Sequence, residues 1–197
     1  MRAVFDLSAM FYNVASIGND QQLANAGFVR CAYLIDHTEV LGILDPVRFK
    51  NALAGLTVPA DGLTVVNGVT LTKLERVPLL GTWEEPRVES AQGDTFQPTL
   101  TFALPLITPE LLAWLMTTTG RRYVVLWEDR NGYAHITGNE DTGLRLSYTR
   151  SITDLNGLSL QLTAQMPVPT WGLESIDPAV LFPEADFSFE FSLFFNA

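Results

Sequence analysis

Thr95-Phe96-Gln97-Pro98-Thr99-Leu100-Thr101-Phe102-Ala103-Leu104 alternates polar and apolar residues, and Thr108-Pro109-Glu110 then opens a short helix that Gly120 stops. Period-two alternation marks a strand with one buried face, and a hydroxyl residue before a first-turn Pro marks a helix start. Beyond the helix, Tyr123-Val124-Val125-Leu126-Trp127 is apolar at both parities, as a central strand covered on both faces requires. Asp129-Arg130-Asn131-Gly132 supplies the turn chemistry that ends it. Leu144-Arg145-Leu146-Ser147-Tyr148 and Leu158-Ser159-Leu160-Gln161-Leu162 form a second alternating pair, and Pro167 and Pro169 close the series. The stretch therefore predicts a mainly β fold, an antiparallel β-sandwich or barrel with one or two short flanking α-helices. Pro98 lacks a ladder donor, which predicts an edge strand or a bulge there.

Toward the N-terminus, Phe28-Val29-Arg30-Cys31-Ala32-Tyr33-Leu34-Ile35 reads as a strand with Val29, Cys31, Tyr33 and Ile35 on one face. Asp45-Pro46 predicts a short helix with an apolar stripe of Val47, Phe49, Leu53 and Leu56. Asn67-Gly68 between apolar alternations predicts a tight hairpin whose second strand runs through Leu74 and Val77. Residues 78–94 carry Gly81, Pro86 and Gly93 among charged residues and read as a long polar loop, a feature that often mediates contacts. Residues 1–27 read as an N-terminal arm, 28–170 as the core domain and 171–197 as a C-terminal extension. In that extension Phe187, Phe189, Phe191 and Leu193 share one strand face, which must pair within the sheet or with another subunit.

A chain of 197 residues, 47% hydrophobic and with twelve Phe, five Tyr and four Trp, can fill one core and is not a disordered chain. Its formal net charge of −10 argues against a nucleic-acid-binding surface, which needs clustered Lys and Arg. The imbalance is uneven: no Lys or Arg follows Arg150, while Asp154, Glu174, Asp177, Glu184, Asp186 and Glu190 do. Asp6 breaks the first apolar run before a signal-peptide core is complete, and no stretch approaches the roughly 20 apolar residues of a membrane helix. Synthesis in the cytoplasm and no membrane partner are the expectations.

Residues capable of chemistry are present without the spacing chemistry needs. Cys31 is alone, so a disulfide within the chain and a thiolate zinc site both lack their partners. His37 and His135 have no second ligand at metal spacing, and no Gly-x-Ser-x-Gly elbow occurs. The acid pairs Glu84-Glu85, Glu128-Asp129 and Glu140-Asp141 could supply a glycosidase's two carboxylates, yet Asp129 and Asp141 stand beside Gly-containing turns. Gly138-Asn139-Glu140-Asp141-Thr142-Gly143 invites a calcium-loop reading but lacks the acid spacing and the closing Glu, so a plain turn is expected. Trp83, Trp114, Trp127 and Trp171 are read as core packing before a sugar platform. No catalytic residue, metal or cofactor is expected.

The order of Gly93 to Phe102, the helix with Trp114-Leu115, Tyr123 to Gly132, and Gly138-Asn139-Glu140 before Leu144 to Tyr148 resembles bacteriophage tail proteins of the tail-tube type, over roughly residues 60–170. The resemblance implies a virion structural protein, made in the host cytoplasm, whose β-sandwich or barrel assembles into hexameric rings stacked as a tube. Its implied partners are copies of itself, other virion tail proteins and DNA passing through the lumen without specific binding. It brings no catalytic residues. The long Phe-rich C-terminal segment departs from the compact pattern and leaves tail terminator and baseplate roles open. The residues expected at assembly contacts are Glu84, Glu85, Phe96, Pro98, Phe187, Phe189, Phe191 and Leu193. The competing expectation is a monomeric β-sandwich module binding a carbohydrate or protein ligand.

Overall fold

The computed structural model describes residues 28–46, 56–75, 81–89, 91, 93–104, 108–118, 120–152, 156–182 and 192–194. The arm of residues 1–27, the helix expected after Asp45-Pro46, Val77, and Phe187, Phe189 and Phe191 lie outside these residues. The protein is mainly β, built on one large mixed sheet, with two short α-helices among the described residues.

Strand β10, Arg122–Asp129, buries five consecutive side chains from Tyr123 to Trp127, and its two faces supply two different cores. Strand β1, Val29–Asp36, runs antiparallel along one edge of β10 and behaves the same way. Ala32 and Leu34 face the first core with Val125 and Trp127, and Tyr33 and Ile35 face the second with Val124 and Leu126. The expected single face of Val29, Cys31, Tyr33 and Ile35 is corrected at its N-terminal end. A register shift between Val29 and Cys31 inserts one residue and turns Val29 into the first core.

On its other edge β10 divides its pairing. Its first residues pair with β12, Leu144–Ile152, and its later ones with β11, Ala134–Thr137. From β12 the sheet continues through β13, Asn156–Thr163, and β9, Thr99–Leu104, to β6, Thr82–Glu84. Just before β6, Gly81 exchanges backbone bonds with Val29, its carbonyl accepting at 2.7 Å and its N–H donating at 3.0 Å. This single bridge brings the path back to β1 around the first core without a closing ladder. From β11 a second branch runs to β14, Trp171–Leu173, and to the parallel strand β3, Thr57–Val58. Beyond β1 lie β5, Thr72–Glu75, and β15, Ser192–Phe194, the latter also parallel. The two parallel pairs depart from the all-antiparallel expectation.

Helix α1, Pro109–Thr118, closes over the first core with Leu111 and Leu115. Its start is capped as expected, since Thr108 Oγ1 accepts from Leu111 N at 3.2 Å. Gly120, at φ +82°, ends it. The second core gathers Trp171, Leu173, Leu181 and Phe182, so residues 171–182, which include α2, Pro178–Leu181, pack into the body of the fold.

Three local expectations are corrected. Asn67-Gly68 does turn, with Gly68 at φ +78°, but its flanks do not pair. Strand β4, Leu63–Val65, pairs with β2, Val40–Ile43, while β5 pairs with β1 and β15. Tertiary pairing takes each flank elsewhere: β4 is bound to β2, and β5 is held between β1 and β15. The polar stretch 78–94 contains β6 and β7, Arg87–Val88, the latter paired with β8, Thr95–Phe96. Pro98 does not mark an edge, because the chain breaks at Gln97-Pro98 and β9 restarts at Thr99 with β13 and β6 on either side.

Candidate functional site

Strand β12 has an edge that is left largely without a partner strand among the described residues. It pairs with β10 only at Leu144 and Arg145, whereas its ladder to β13 runs unbroken from Arg145 to Ile152. Beyond Arg145 no described residue pairs with its outer edge. Leu144 and Leu146 bury into the first core, and from Ser147 through Ser151 every residue is exposed. Free edges are ordinarily blunted by Lys, Pro or a bulge, and Ser147-Tyr148-Thr149-Arg150-Ser151 has none of these.

The charge at the base of this edge is unusual for so acidic a chain. Arg145 lies directly opposite Arg122 on β10, and neither has an ion-pair partner among the described residues. Like charges in that cross-strand position repel, and an anion from outside would relieve them. Arg121, by contrast, is engaged by Asp36 at 3.3 Å.

On the opposite edge of β10, Asp36, Glu39, Trp114, Thr117, Arg121 and Tyr123 line an open cleft of about 240 Å³. Asp36 caps a turn of 3₁₀ helix, its Oδ1 accepting from Thr38 N at 3.1 Å and from Thr38 Oγ1 at 2.8 Å. Burial alone would raise its carboxyl, but the Thr38 bonds, His37 and the Arg121 charge outweigh burial and hold it below the usual range. Burial pushes the Tyr123 phenol up to about 12; Arg121 opposes the shift, and the Asp36 and Glu39 carboxylates add to it. The cleft presents hydroxyls, two carboxylates and one guanidinium beside an aromatic wall.

The acid pairs are dispersed by the fold. Asp129 Oδ1 accepts from Asn131 N at 2.8 Å and Tyr133 N at 2.9 Å, which makes it the pivot of the β10–β11 turn. Glu128 pairs with Arg30 at 3.0 Å. The Gly138–Gly143 segment is the plain turn expected: Asn139 Oδ1 accepts from Asp141 N at 3.1 Å and Thr142 N at 2.6 Å. Among the described residues no cluster of three or more His, Cys, Asp and Glu is placed to hold a metal. No described helix is long and apolar enough to cross a membrane. Trp127 is buried between Trp83, with ring centroids 4.8 Å apart, and His135, stacked at 4.1 Å. Burial depresses the His135 imidazole against a weaker upward pull from Asp129.

Three of the residues expected at contacts are engaged by one strip of the same chain, residues 164–170. Glu85 Oε1 accepts from Thr170 N at 2.8 Å and from its hydroxyl at 2.7 Å. The Phe96 backbone exchanges bonds with Met166 at 2.8 and 2.9 Å, and the buried Pro98 accepts from Ala164 N at 3.3 Å. Glu84 is exposed on β6 at the end of its branch. Leu193 lies in β15, in register with Leu74, while Phe187, Phe189 and Phe191 lie outside the described residues. Sequence reasoning missed both the β12 edge and the cleft. The edge had a signal, the polar continuation Thr149-Arg150-Ser151 of an alternating strand; the cleft had none, since Asp36 and Arg121 meet only in the fold. No protein-family model, curated protein or solved structure matches the chain.

Proposed function

We propose that this protein is a non-enzymatic structural subunit of a phage virion, tail-tube-like, that assembles with copies of itself into rings around a DNA conduit. The observation that carries the proposal is the outer edge of β12, a run of exposed residues that no described strand covers and that has neither Lys, Pro nor a bulge. Such an edge recruits a neighbour's strand through backbone hydrogen bonds and takes its specificity from the side chains on either face. The net charge of −10 suits a conduit, because carboxylates facing a lumen offer passing phosphates no cation to hold them. A hexameric ring and neighbouring tail proteins as partners follow from the tail-tube resemblance. Size-exclusion chromatography with light scattering tests the proposal: the mass should rise stepwise with concentration toward a closed ring. A monomer at every concentration counts against it.

The cleft beside Asp36 favours a second reading, a binding module for a polyhydroxylated ligand held by Asp36, Glu39 and Arg121 against Trp114. Calorimetric titration with a panel of oligosaccharides distinguishes it. Binding abolished by Asp36→Ala in a protein that stays monomeric would replace the assembly reading with this one.

A further inference from the structure

We infer that the outer edge of β12 pairs with the same edge of a second copy, antiparallel across a two-fold axis that passes between their Thr149 residues. This inference rests on the assembly reading and names one of its contacts. The exposed run Ser147-Tyr148-Thr149-Arg150-Ser151 has a hydroxyl at each end and at its centre, with an aromatic ring on one side of that centre and a guanidinium on the other. Antiparallel pairing of a strand with its own copy reverses the order, so this run meets its complement. Ser147 stands opposite Ser151, Tyr148 opposite Arg150, and Thr149 opposite Thr149. The Ser147 hydroxyl donates to Gln161 O at 3.2 Å within its own sheet and keeps its lone pairs for the facing Ser151.

The pleat sorts these pairs onto two faces. Ser147, Thr149 and Ser151 share theirs with Gln161, Ser159 and Gly157 of β13, so the hydroxyl pairs extend a polar surface. Tyr148 and Arg150 lie on the face of Leu146, opposite Leu160 and Leu158 of the first core. There Tyr148 is 46% exposed, and the Arg150 guanidinium of the second copy covers its ring as a cation–π pair. The two-fold makes this pair twice.

The same residues set the register. A two-fold keeps like faces together, so the neighbouring registers are centred on Tyr148 or on Arg150. Centred on Arg150, two guanidiniums oppose each other, which is unfavourable. Centred on Tyr148, Arg150 meets the buried Leu146, and Ser151 enters the place beside Arg145 that Arg122 of β10 holds. With Thr149 at the centre, the second copy's β12 reaches its last residue, Ile152, beside Leu146, and there its ladder closes on Asn156 of β13, the strand on the far side from the contact. The place beside Arg145 stays with Arg122. Such an interface is isologous, and two different isologous contacts alternating around a ring close it with dihedral symmetry. The β12 contact is one of the two, and a hexamer built this way is a trimer of β12 dimers.

The test uses single cysteine variants of the otherwise unchanged protein, whose own Cys31 is buried. Opposed cross-strand Cα atoms lie about 4.5–5.5 Å apart, inside the range a disulfide spans. Oxidation should therefore link Thr149→Cys to itself, and a mixture of Ser147→Cys and Ser151→Cys to each other, each identified by peptide mapping. Ser147→Cys alone should not link, because its two copies stand four residues apart, about 13 Å along the strand. Arg150→Ala removes both cation–π pairs; at about 2- to 5-fold for each exposed pair it should raise the dimer Kd about 5- to 30-fold, read by sedimentation. Self-association without the Thr149→Cys link, or Ser147→Cys linking to itself as readily as Thr149→Cys, overturns this inference and leaves the assembly reading standing. Absence of self-association overturns both. The two expected links in a protein whose mass stops at the dimer uphold this contact and overturn the ring.

Discussion

Replacing Gly81 with Ala tests the bridge that returns the sheet to β1. A Cβ on Gly81 would lie 2.7 Å from Phe102 Cε1 and 3.0 Å from Cδ1 and Cζ. Ordinary contact begins near 3.4 Å, so the ring has to retreat by about 0.7 Å in a core packed to crystal density. Phe102 is 5% exposed, inside the first core. Overpacking of this kind costs about 1–3 kcal/mol. If the backbone yields instead, the two Val29–Gly81 bonds lengthen at about 1 kcal/mol each, so either route leads to about 2 kcal/mol. For a chain of this length that lowers Tm by roughly 4–8 °C, read by far-ultraviolet circular dichroism or calorimetry. Coupling identifies the cause. Phe102→Leu alone should destabilise, and Gly81→Ala should add less than about 0.5 kcal/mol in that background because its clash partner has gone. A Gly81→Ala protein melting with the wild type, or strict additivity in the double variant, would refute the packing of Gly81 against Phe102.

Further predictions concern single groups. Tyr123 has a folded pKa of about 12 against 10.0 unfolded, so its contribution is complete below pH 10 and is lost as pH rises toward 12. Urea titrations at about pH 9 and about pH 11.5 should differ by on the order of 2 kcal/mol, a difference that Tyr123→Phe reduces. For His135 the folded pKa lies below 6.5, so its contribution is present above that value and declines as pH falls through the folded pKa. The emission of Trp127, stacked on that ring, should change over the same interval, and His135→Gln should abolish the change. Asn139→Ala removes the acceptor for Asp141 N and Thr142 N and should cost about 1 kcal/mol in chemical denaturation.

The elements that sequence announced are those whose signal is local. Tyr123 to Trp127 is apolar at every position because β10 divides two cores, and Asp129 to Gly132 turns because one carboxylate collects two amides. Thr108 and Gly120 bound a helix for reasons contained in that segment. Misreadings arise where tertiary pairing overrides a correct local feature. Asn67-Gly68 turns, yet the strands on either side pair elsewhere, β4 with β2 and β5 with β1 and β15. The missing donor of Pro98 is real, but a break in the strand absorbs it and β9 stays interior. The bulge between Val29 and Cys31 is a property of the pairing with β10, and Arg30 beside it reads simply as an outward-facing residue of an alternating strand. At the candidate sites, Glu85 and Phe96 give no sign that Thr170 and Met166 of the same chain would occupy them. The β12 edge is legible only as a strand, because the shortness of its pairing with β10 is a property of the sheet.

Electron microscopy of the purified, concentrated protein tests the assembly claim most directly. The account predicts annular particles or stacked tubes in which neighbours continue one another's sheets at β12, around a channel lined mainly by carboxylates. Dispersed monomers, or a ring whose channel is lined mainly by Lys and Arg, would contradict it.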